Sequence, residues 1–125
     1  MKKLFLLPTL LLVMAIALAA CGGGGAGAGG DDAAAAGKEI FAKTVIGTQA
    51  GCSTCHSLDA DTVIVGPSMA GVGARLSDAE LRESILDPNA VLVEGFPADT
   101  MPPVWADELN DEQVDQLVAY LLTLK

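Results

Sequence analysis

Two cysteines and a histidine lie within five consecutive residues of this 125-residue chain. The segment Cys52-Ser53-Thr54-Cys55-His56 has the spacing C-x-x-C-H, which is the attachment pattern of a c-type haem. Two thiols three positions apart can each add to one of the two haem vinyl groups and form a thioether. His56 follows at the position where an imidazole can ligate the iron. The motif therefore predicts one covalent haem c, bound by Cys52 and Cys55, with His56 as an axial ligand.

The cysteine pair is also compatible with two other kinds of site. A C-x-x-C motif can form a redox pair of the thioredoxin type, but that pair accompanies a βαβ pattern, and no such alternation surrounds this one. It can supply half of a structural zinc site, which needs four ligands. The chain has three cysteines and one histidine, and Cys21 has a different predicted role. Haem attachment is the interpretation that uses all three reactive side chains of the motif.

The amino-terminal segment has the features of an export signal. Two lysines precede an apolar run over residues 4–17, and small residues then lead to Cys21. The stretch Leu18-Ala19-Ala20-Cys21 resembles the bacterial lipoprotein box. This resemblance implies that residues 1–20 are a lipoprotein signal peptide, cleaved before Cys21, and that a diacylglyceryl group is attached to the Cys21 thiol. An ordinary secretory signal or an uncleaved anchor is the alternative, and either would also export the protein.

Residues 21–35 are predicted to form the lipidated cysteine and a flexible tether. Seven of the nine residues from Gly22 to Gly30 are glycine, which loses the most backbone freedom on ordering. Two aspartates and a run of alanines follow, and the segment has little apolar surface to bury. A Gly-rich coil of about 15 residues has a root-mean-square span of about 20 Å. The tether would thus hold a domain above a membrane to which two acyl chains anchor it.

The remaining residues, 36–125, are enough for one small domain. The whole chain has 7 basic and 16 acidic residues and a net charge of −9. Cleavage of the predicted signal would remove Lys2 and Lys3 and leave 5 basic and 16 acidic residues, a net charge of −11. Such an acidic surface argues against nucleic acid and against attraction to anionic lipid, so membrane attachment depends on the lipid anchor. It favours redox partner proteins with a basic docking face.

Three helices and no sheet are predicted, so the expected fold class is all-α. The first helix covers about residues 34–44. The second begins after Ser77, which has Glu80 three residues later in capping-box form, and it ends before Pro88. The third begins after Asn110, an N-cap residue that has Gln113 three residues later, also in capping-box form. It carries an apolar stripe with helical periodicity, formed by Val114, Leu117, Val118, Leu121 and Leu122.

Two methionines in the folded part are candidates for the second axial position. A thioether opposite the histidine stabilises ferrous iron and raises the reduction potential, although methionine also serves as a core filler. Met69 follows Gly66-Pro67 closely, in a segment expected to pack beside His56. Met101 precedes two prolines, which stiffen its loop. This context favours Met101 and leaves Met69 as the second candidate.

The segment 37–125 resembles a class I mono-haem cytochrome c. The resemblance implies a small helical domain wrapped around one covalent haem, in which the first and last helices cross and Gly37 allows close approach to Tyr120. It also implies Met101 as the distal ligand. The Pro67 carbonyl would accept a hydrogen bond from the His56 ring, and that bond would fix the tautomer. The matching pieces are Gly37, Phe41, Cys52-Ser53-Thr54-Cys55-His56, Gly66-Pro67, Met101-Pro102 and Ala119-Tyr120-Leu121.

A second resemblance concerns residues 83–90 and 94–97, which are similar to the cytochrome c domain fused to subunit II of some bacterial haem–copper oxidases. The chain departs from that arrangement because it has no copper-site domain and carries its own lipoprotein signal. The resemblance suggests an oxidase donor or accessory subunit. Arg75 and Trp105 are candidates for bonding the haem propionates.

Together these features predict an electron carrier and not an enzyme. The protein would be a membrane-anchored c-type cytochrome on the extracytoplasmic side of the cell membrane or in the periplasm. It would carry single electrons between respiratory-chain partners by Fe(II)/Fe(III) cycling with both axial positions filled. Ser53 and Thr54 have no second histidine to act as a base. The alternatives are a haem subunit of a larger oxidoreductase complex and a gas-binding haem sensor with an open sixth position.

Overall fold

The computed structural model describes residues 28–125, which form six helices and one two-stranded ladder. The strands pair antiparallel, with Val45 opposite Ala50 and Ile46 opposite Gln49. The predicted all-α class is confirmed, because this short hairpin is the only β structure in the described residues. In chain order the elements are α1 (Ala28–Ala42), β1 (Val45–Ile46), β2 (Gln49–Ala50), α2 (Cys52–Cys55), α3 (Val72–Arg75), α4 (Asp78–Leu86), α5 (Trp105–Glu108) and α6 (Asp111–Thr123).

Helix α1 begins about six residues earlier than the sequence predicted. Residues 28–35 were expected to belong to the flexible tether, and in the structure they are helical. The cause is the alanine run at 33–36, because alanine has the highest helix propensity of all residues. Asp31 lies in the first turn, where its negative charge interacts favourably with the helix dipole. The prediction of a flexible segment is therefore wrong for residues 28–35.

Three other predictions concern residues outside the part of the chain that the structure describes. These are the signal peptide over residues 1–20, the lipid attachment at Cys21 and the first part of the tether. Within residues 28–125, none of the helices has the length and apolar character needed to cross a membrane.

Helices α1 and α6 form the main packing contact of the domain. Gly37 lies so close to α6 that a Cβ atom there would overlap the Gln116 carbonyl and lie 2.9 Å from the Tyr120 Cβ. Glycine is required because it has no Cβ. The Phe41 and Tyr120 rings pack across the same crossing, with centroids 5.7 Å apart and planes tilted by 57°. The close approach implied by the family resemblance is therefore present.

The buried core lies between α6 and the elements that pack around it. Of the predicted apolar stripe, Val114, Leu117, Val118 and Leu121 are buried, and Leu122 is half-buried. Burial of a large apolar side chain is worth about 1.5–3 kcal/mol, so this stripe dominates the attachment of α6. The other buried apolar residues are Ile40, Phe41, Ile46, Val72, Leu81, Ile85, Trp105, Leu109 and Tyr120.

Both predicted capping boxes are present. The Ser77 hydroxyl accepts from the Glu80 N–H (3.4 Å), and the Ser77 N–H donates to Glu80 Oε2 (2.8 Å). In the same way the Asn110 side chain accepts from the Gln113 N–H (2.9 Å), and the Asn110 N–H donates to Gln113 Oε1 (3.0 Å). Each cap satisfies amide groups that have no partner inside the helix, so α4 and α6 begin where local sequence places them.

Hydrogen bonds between distant segments position the short helices α3 and α5. The Thr48 hydroxyl and N–H both donate to the Glu108 carboxylate, at 2.5 and 3.2 Å, which ties α5 to the hairpin. The Gly73 N–H donates to the Leu124 carbonyl at 2.8 Å, and Lys125 Nζ donates to the Gly73 carbonyl at 2.5 Å. Helix α3 is therefore held at the carboxyl end of α6.

Candidate haem-binding site

The C-x-x-C-H motif forms one helical turn followed by an extended residue. Helix α2 spans Cys52–Cys55, and His56 is its C-cap, with φ −116° and ψ 123°. The His56 N–H donates to the Cys52 carbonyl at 2.9 Å. Because residues three apart share one face of a helix, the two cysteines face the same side. Both are half-buried free thiols, so the pair is available for two thioether bonds.

The two residues between the cysteines attach this turn to the end of α1. The Ser53 hydroxyl donates to the Ala42 carbonyl and the Thr54 hydroxyl donates to the Thr44 carbonyl, each at 3.3 Å. The Ala42 carbonyl lies at the carboxyl end of α1, where carbonyls lack partners within the helix, and the Ser53 hydroxyl satisfies it. The Thr44 carbonyl lies two residues past α1 and also accepts from the Gly51 N–H at 2.8 Å. Helix α1 ends at Ala42, two residues before its predicted end, because the chain then turns into the hairpin. The sequence interpretation missed this anchoring role of Ser53 and Thr54.

The His56 ring is held by a hydrogen bond and by a close backbone contact. Its Nδ1 lies 2.8 Å from the Pro67 carbonyl oxygen. A carbonyl can only accept, so Nδ1 carries the proton and Nε2 keeps its lone pair for a metal ion. A Cβ atom at Gly66 would lie 2.5 Å from the ring Cε1, which excludes any larger residue there. The ring orientation and its tautomer are thus both determined by residues 66–67.

Backbone hydrogen bonds join the segment 65–69 to the C-x-x-C-H turn. The Cys55 carbonyl accepts from the N–H groups of Val65 (3.2 Å) and Gly66 (2.9 Å), and the Ser57 carbonyl accepts from the Met69 N–H (2.8 Å). Ser57 is the only buried polar residue of the described chain, and its hydroxyl accepts from the Asp59 N–H at 2.9 Å. These bonds make the histidine side of the site a rigid unit.

The two candidate methionines lie in different parts of the fold. Both are half-buried and pack against the hydrophobic core. Met69 belongs to the segment bonded to the histidine side, and its carbonyl accepts from the Val72 N–H at 3.1 Å. Met101 lies in the loop that connects α4 to α5. The two methionines therefore belong to different chain segments.

A pair of reciprocal hydrogen bonds holds the loop that contains Met101. Asn89 Nδ2 donates to Asp99 Oδ1, and the Asp99 N–H donates to Asn89 Oδ1, both at 2.9 Å. Asp99 is the only non-glycine residue of the described chain with positive φ, at 60°. We refer to this pair as the Asn89–Asp99 clamp. It joins the end of α4 to a position two residues before Met101, and the sequence interpretation did not identify it.

Burial keeps the first cysteine of the motif in its neutral form. Desolvation raises the pKa of the Cys52 thiol above its ordinary value. The nearby Cys55 adds to the rise, whereas a backbone hydrogen bond opposes it. A neutral thiol is a weak nucleophile and a weak metal ligand. Its environment therefore differs from that of a thioredoxin-type cysteine, whose pKa is lowered.

The hydrogen-bond donors of Trp105 and Arg75 bear on whether this site fits a haem. Trp105 is 4% exposed, and its Nε1 has no hydrogen-bond partner among the described residues. Because a buried N–H without an acceptor is costly, this donor suits a haem carboxylate. Arg75, the other candidate for that role, donates from Nη1 to the Ala70 carbonyl at 2.6 Å. The two thiols, the Nε2 lone pair of His56 and the free indole N–H together fit the group.

The described residues contain no cluster that suggests a different metal site. Within residues 28–125, no three His, Cys, Asp or Glu side chains are grouped so that they could hold a metal ion. A structural zinc site needs four such ligands.

Comparison with known proteins identifies the family. The family model described as Cytochrome c matches residues 34–125, which include the C-x-x-C-H turn, Pro67 and Met101. A search of curated proteins found no match. The matched residues cover most of the chain and nearly all of the described fold. The chain therefore belongs to the cytochrome c family, which binds haem c covalently, and Cys52 and Cys55 stand at the attachment motif.

Proposed function

We propose that this protein is a membrane-anchored electron carrier of a respiratory chain, with His56 and Met101 as axial ligands of one haem iron. Bound haem c supplies a reversible one-electron couple. The observation that carries the proposal is the 2.8 Å contact between His56 Nδ1 and the Pro67 carbonyl. This hydrogen bond directs Nε2 to the metal, makes it more basic and prevents ring rotation. A fixed, strongly bound histidine suits an iron that changes its oxidation state without exchanging ligands.

The position of Met69 supports Met101 as the other ligand. The Met69 N–H is bonded to the Ser57 carbonyl, one residue after His56. The backbone of Met69 is therefore bonded to the segment that carries His56. Met101 comes from a separate loop, is half-buried and packs against the core. Its loop is restrained by the Asn89–Asp99 clamp.

The place of action follows from the amino-terminal sequence. The lipoprotein box ending at Cys21 supports a lipid anchor on the extracytoplasmic side of the membrane, or in the periplasm. The net charge of −11 that would remain after cleavage of the signal supports redox partners with a basic docking face. Docking of redox proteins is typically weak and buries little area, which suits a carrier that must release each partner.

A second candidate function is that of a haem subunit in a larger oxidoreductase. The similarity of residues 83–90 and 94–97 to the cytochrome c domain of haem–copper oxidase subunit II favours it. Gentle detergent extraction distinguishes the two functions. A free carrier is expected to migrate alone on a native gel, whereas a subunit would copurify with a catalytic chain in fixed stoichiometry.

The absorption spectrum of the oxidised protein tests the axial ligands. Methionine–iron(III) ligation gives a weak far-red charge-transfer band. We expect Met101→Leu to lose this band and the matched variant Met69→Leu to retain it, because leucine keeps the volume of methionine without the sulfur. The opposite result would make Met69 the ligand. Rapid binding of carbon monoxide by the reduced wild-type protein at neutral pH would instead indicate an open sixth position and a gas-binding function.

The lipid anchor has its own test. Expressed as the full-length chain, the protein should partition into the membrane fraction, and Cys21→Ala should move it into the soluble extracytoplasmic fraction. Mass spectrometry of the wild-type protein should show a diacylglyceryl group on Cys21. Continued membrane attachment of Cys21→Ala would indicate an uncleaved signal anchor.

A further inference from the structure

The tip of the β-hairpin encloses the carboxylate of Glu108. The Thr48 hydroxyl donates to Glu108 Oε1 at 2.5 Å, and the Thr48 N–H donates to Oε2 of the same carboxylate at 3.2 Å. The side-chain amide of Gln49 donates to the Thr48 hydroxyl oxygen at 3.1 Å, which leaves the hydroxyl hydrogen for Glu108. We call this arrangement the Thr48–Glu108 latch.

Gly47, the other residue of the hairpin tip, makes room for the same carboxylate. It has a φ of 57°, in the left-handed region that residues with a Cβ rarely adopt. A Cβ atom at this position would also overlap Oε2 of Glu108. Glycine is therefore required at the tip for two reasons, the turn of the hairpin and the space for a half-buried carboxylate.

One side of the latch is continuous with the haem-attachment turn. Strand β2 ends at Ala50, and the next residue, Gly51, is the N-cap of α2. The Thr44 carbonyl accepts from the Gly51 N–H at 2.8 Å and from the Thr54 hydroxyl at 3.3 Å. These hydrogen bonds join the hairpin and the attachment turn into one unit, so the position of Thr48 is fixed relative to that turn.

The other side of the latch is the last residue of α5. This helix begins at Trp105, whose buried indole N–H has no acceptor among the described residues. Met101 precedes the helix by four residues. The backbone N–H of Glu108 donates to the Val104 carbonyl at 3.2 Å, so Glu108 belongs to the turn that directly follows the Met101 loop. A restraint on Glu108 therefore also acts on Met101 and Trp105.

The latch is the hydrogen-bonded connection between these two segments. Within the described part of the chain, no other hydrogen bond joins residues 43–56 to residues 101–109. The bonded residues are 60 positions apart in the chain. Ile46, Trp105 and Leu109 also pack into the same buried core, but apolar packing is non-directional. The two hydrogen bonds supply the directional contact that sets how the segments lie relative to each other.

We propose that Glu108 is a positioning residue for the haem site. Through Thr48, its carboxylate holds the segment that carries Met101 and Trp105 against the attachment turn. The proposal rests on the axial ligation by His56 and Met101 proposed above. The latch acts on the fraction of molecules in which the Met101 sulfur is detached from the iron, and it keeps this fraction low.

The experiment measures imidazole binding to the oxidised, full-length, haem-loaded protein by absorption. Added imidazole binds the iron only where the methionine has left it, so its apparent affinity is proportional to the detached fraction. We expect Glu108→Ala to bind imidazole about tenfold more tightly than wild type, as for the loss of one hydrogen bond to a charged group. Far-UV circular dichroism should report the same folded domain in both proteins.

Asp107→Ala is the matched control for the charge that Glu108→Ala removes. Asp107 is the preceding residue, it is exposed, and in the described structure it has no hydrogen bond to the hairpin. This variant loses one carboxylate from the same helix and leaves the latch intact. Its imidazole affinity should stay within about twofold of wild type, as for an ordinary surface substitution.

Variants of Thr48 test the latch from its other side. Thr48→Val keeps the shape of threonine without the hydroxyl, and it should bind imidazole more tightly than wild type. The increase should be smaller than in Glu108→Ala, because the backbone N–H still bonds the carboxylate. Thr48→Ser keeps the hydroxyl and should behave like wild type. The double variant Glu108→Ala/Thr48→Val should bind no more tightly than Glu108→Ala alone, because both changes remove the same interaction.

Three results would overturn the proposal. The first is an unchanged imidazole affinity in Glu108→Ala, or in Thr48→Val if the Glu108 variant does not fold. The second is an equal increase in Asp107→Ala, which would show an effect of charge alone. The third is an equal increase in Thr48→Ser and Thr48→Val, which would exclude the hydroxyl contact. A failure of the proposed ligation looks different, because Met101→Leu would then keep the far-red band.

Discussion

The Asn89–Asp99 clamp leads to a sharp prediction about the sixth iron ligand. Replacing Asn89 with alanine removes both 2.9 Å hydrogen bonds at once, since the Asn89 amide supplies one donor and one acceptor. Asp99, with φ at 60°, then loses the contacts that hold it in the left-handed region. Because Met101 follows by two residues, its sulfur should be held less firmly in the site.

The size of the effect follows from the two hydrogen bonds. Each contributes about 0.5–1.5 kcal/mol net, so their loss costs about 2 kcal/mol. The state in which Met101 is detached is favoured further when Asp99 leaves the left-handed conformation, because that conformation is unfavourable for a residue with a Cβ. Since 1.4 kcal/mol corresponds to a factor of ten, the ratio of detached to attached Met101 should rise roughly 30-fold.

The assay is thermal loss of the far-red charge-transfer band in the oxidised, haem-loaded protein. In Asn89→Ala this band should be lost at a lower temperature than in wild type, while far-UV circular dichroism still reports a folded domain. Asp99→Asn is the control, because asparagine keeps an acceptor oxygen and tolerates positive φ. If Asn89→Ala and wild type lose the band at the same temperature, the clamp does not restrain Met101.

Three further predictions concern packing, the free indole and pH. Gly37→Val should reduce the free energy of unfolding by about 3 kcal/mol and lower the Tm by at least about 10 °C. Gly30→Ala should not lower the Tm in this way, because a Cβ atom there would meet nothing within 4 Å. Equal Tm values for the two variants would contradict the close crossing of α1 and α6. Trp105→Phe should lower the Tm of the haem-loaded protein, because a hydrogen bond to a carboxylate is worth about 1.5–3 kcal/mol; an unchanged Tm would show that Nε1 meets no haem carboxylate. Hydrogen bonds from the Ser77 side chain and N–H lower the pKa of Glu80 in the folded protein. The stabilisation from this cap is therefore fully present above the pKa of glutamate in the unfolded chain, about 4.3, and it is lost as the pH falls through the lower pKa of the folded protein. An NMR titration should show a higher Glu80 pKa in Ser77→Ala, and no change would exclude the capping box as the cause.

Local sequence was sufficient to predict the features that depend on near neighbours. The start of α4 at Ser77 and of α6 at Asn110 follows from side chains that bond amides three residues away. The buried stripe of α6 follows from helical periodicity, and four of its five members are buried. The predicted start of α1 was wrong, because glycines 29 and 30 are unfavourable in a helix but are followed by an alanine run that favours one.

The amino-acid sequence was enough to establish the chemistry of this protein, because C-x-x-C-H brings two thiols and an imidazole together within one helical turn. How those groups are held depends on the packing of separate segments in the folded domain. The Ser53 hydroxyl bonds the Ala42 carbonyl of α1, the Thr54 hydroxyl bonds the Thr44 carbonyl just past this helix, and the clamp joins positions ten residues apart. The hydrogen bond from His56 to Pro67 was implied by family resemblance and not by any local rule. Such contacts depend on how separate segments pack, so spacing along the chain cannot predict them.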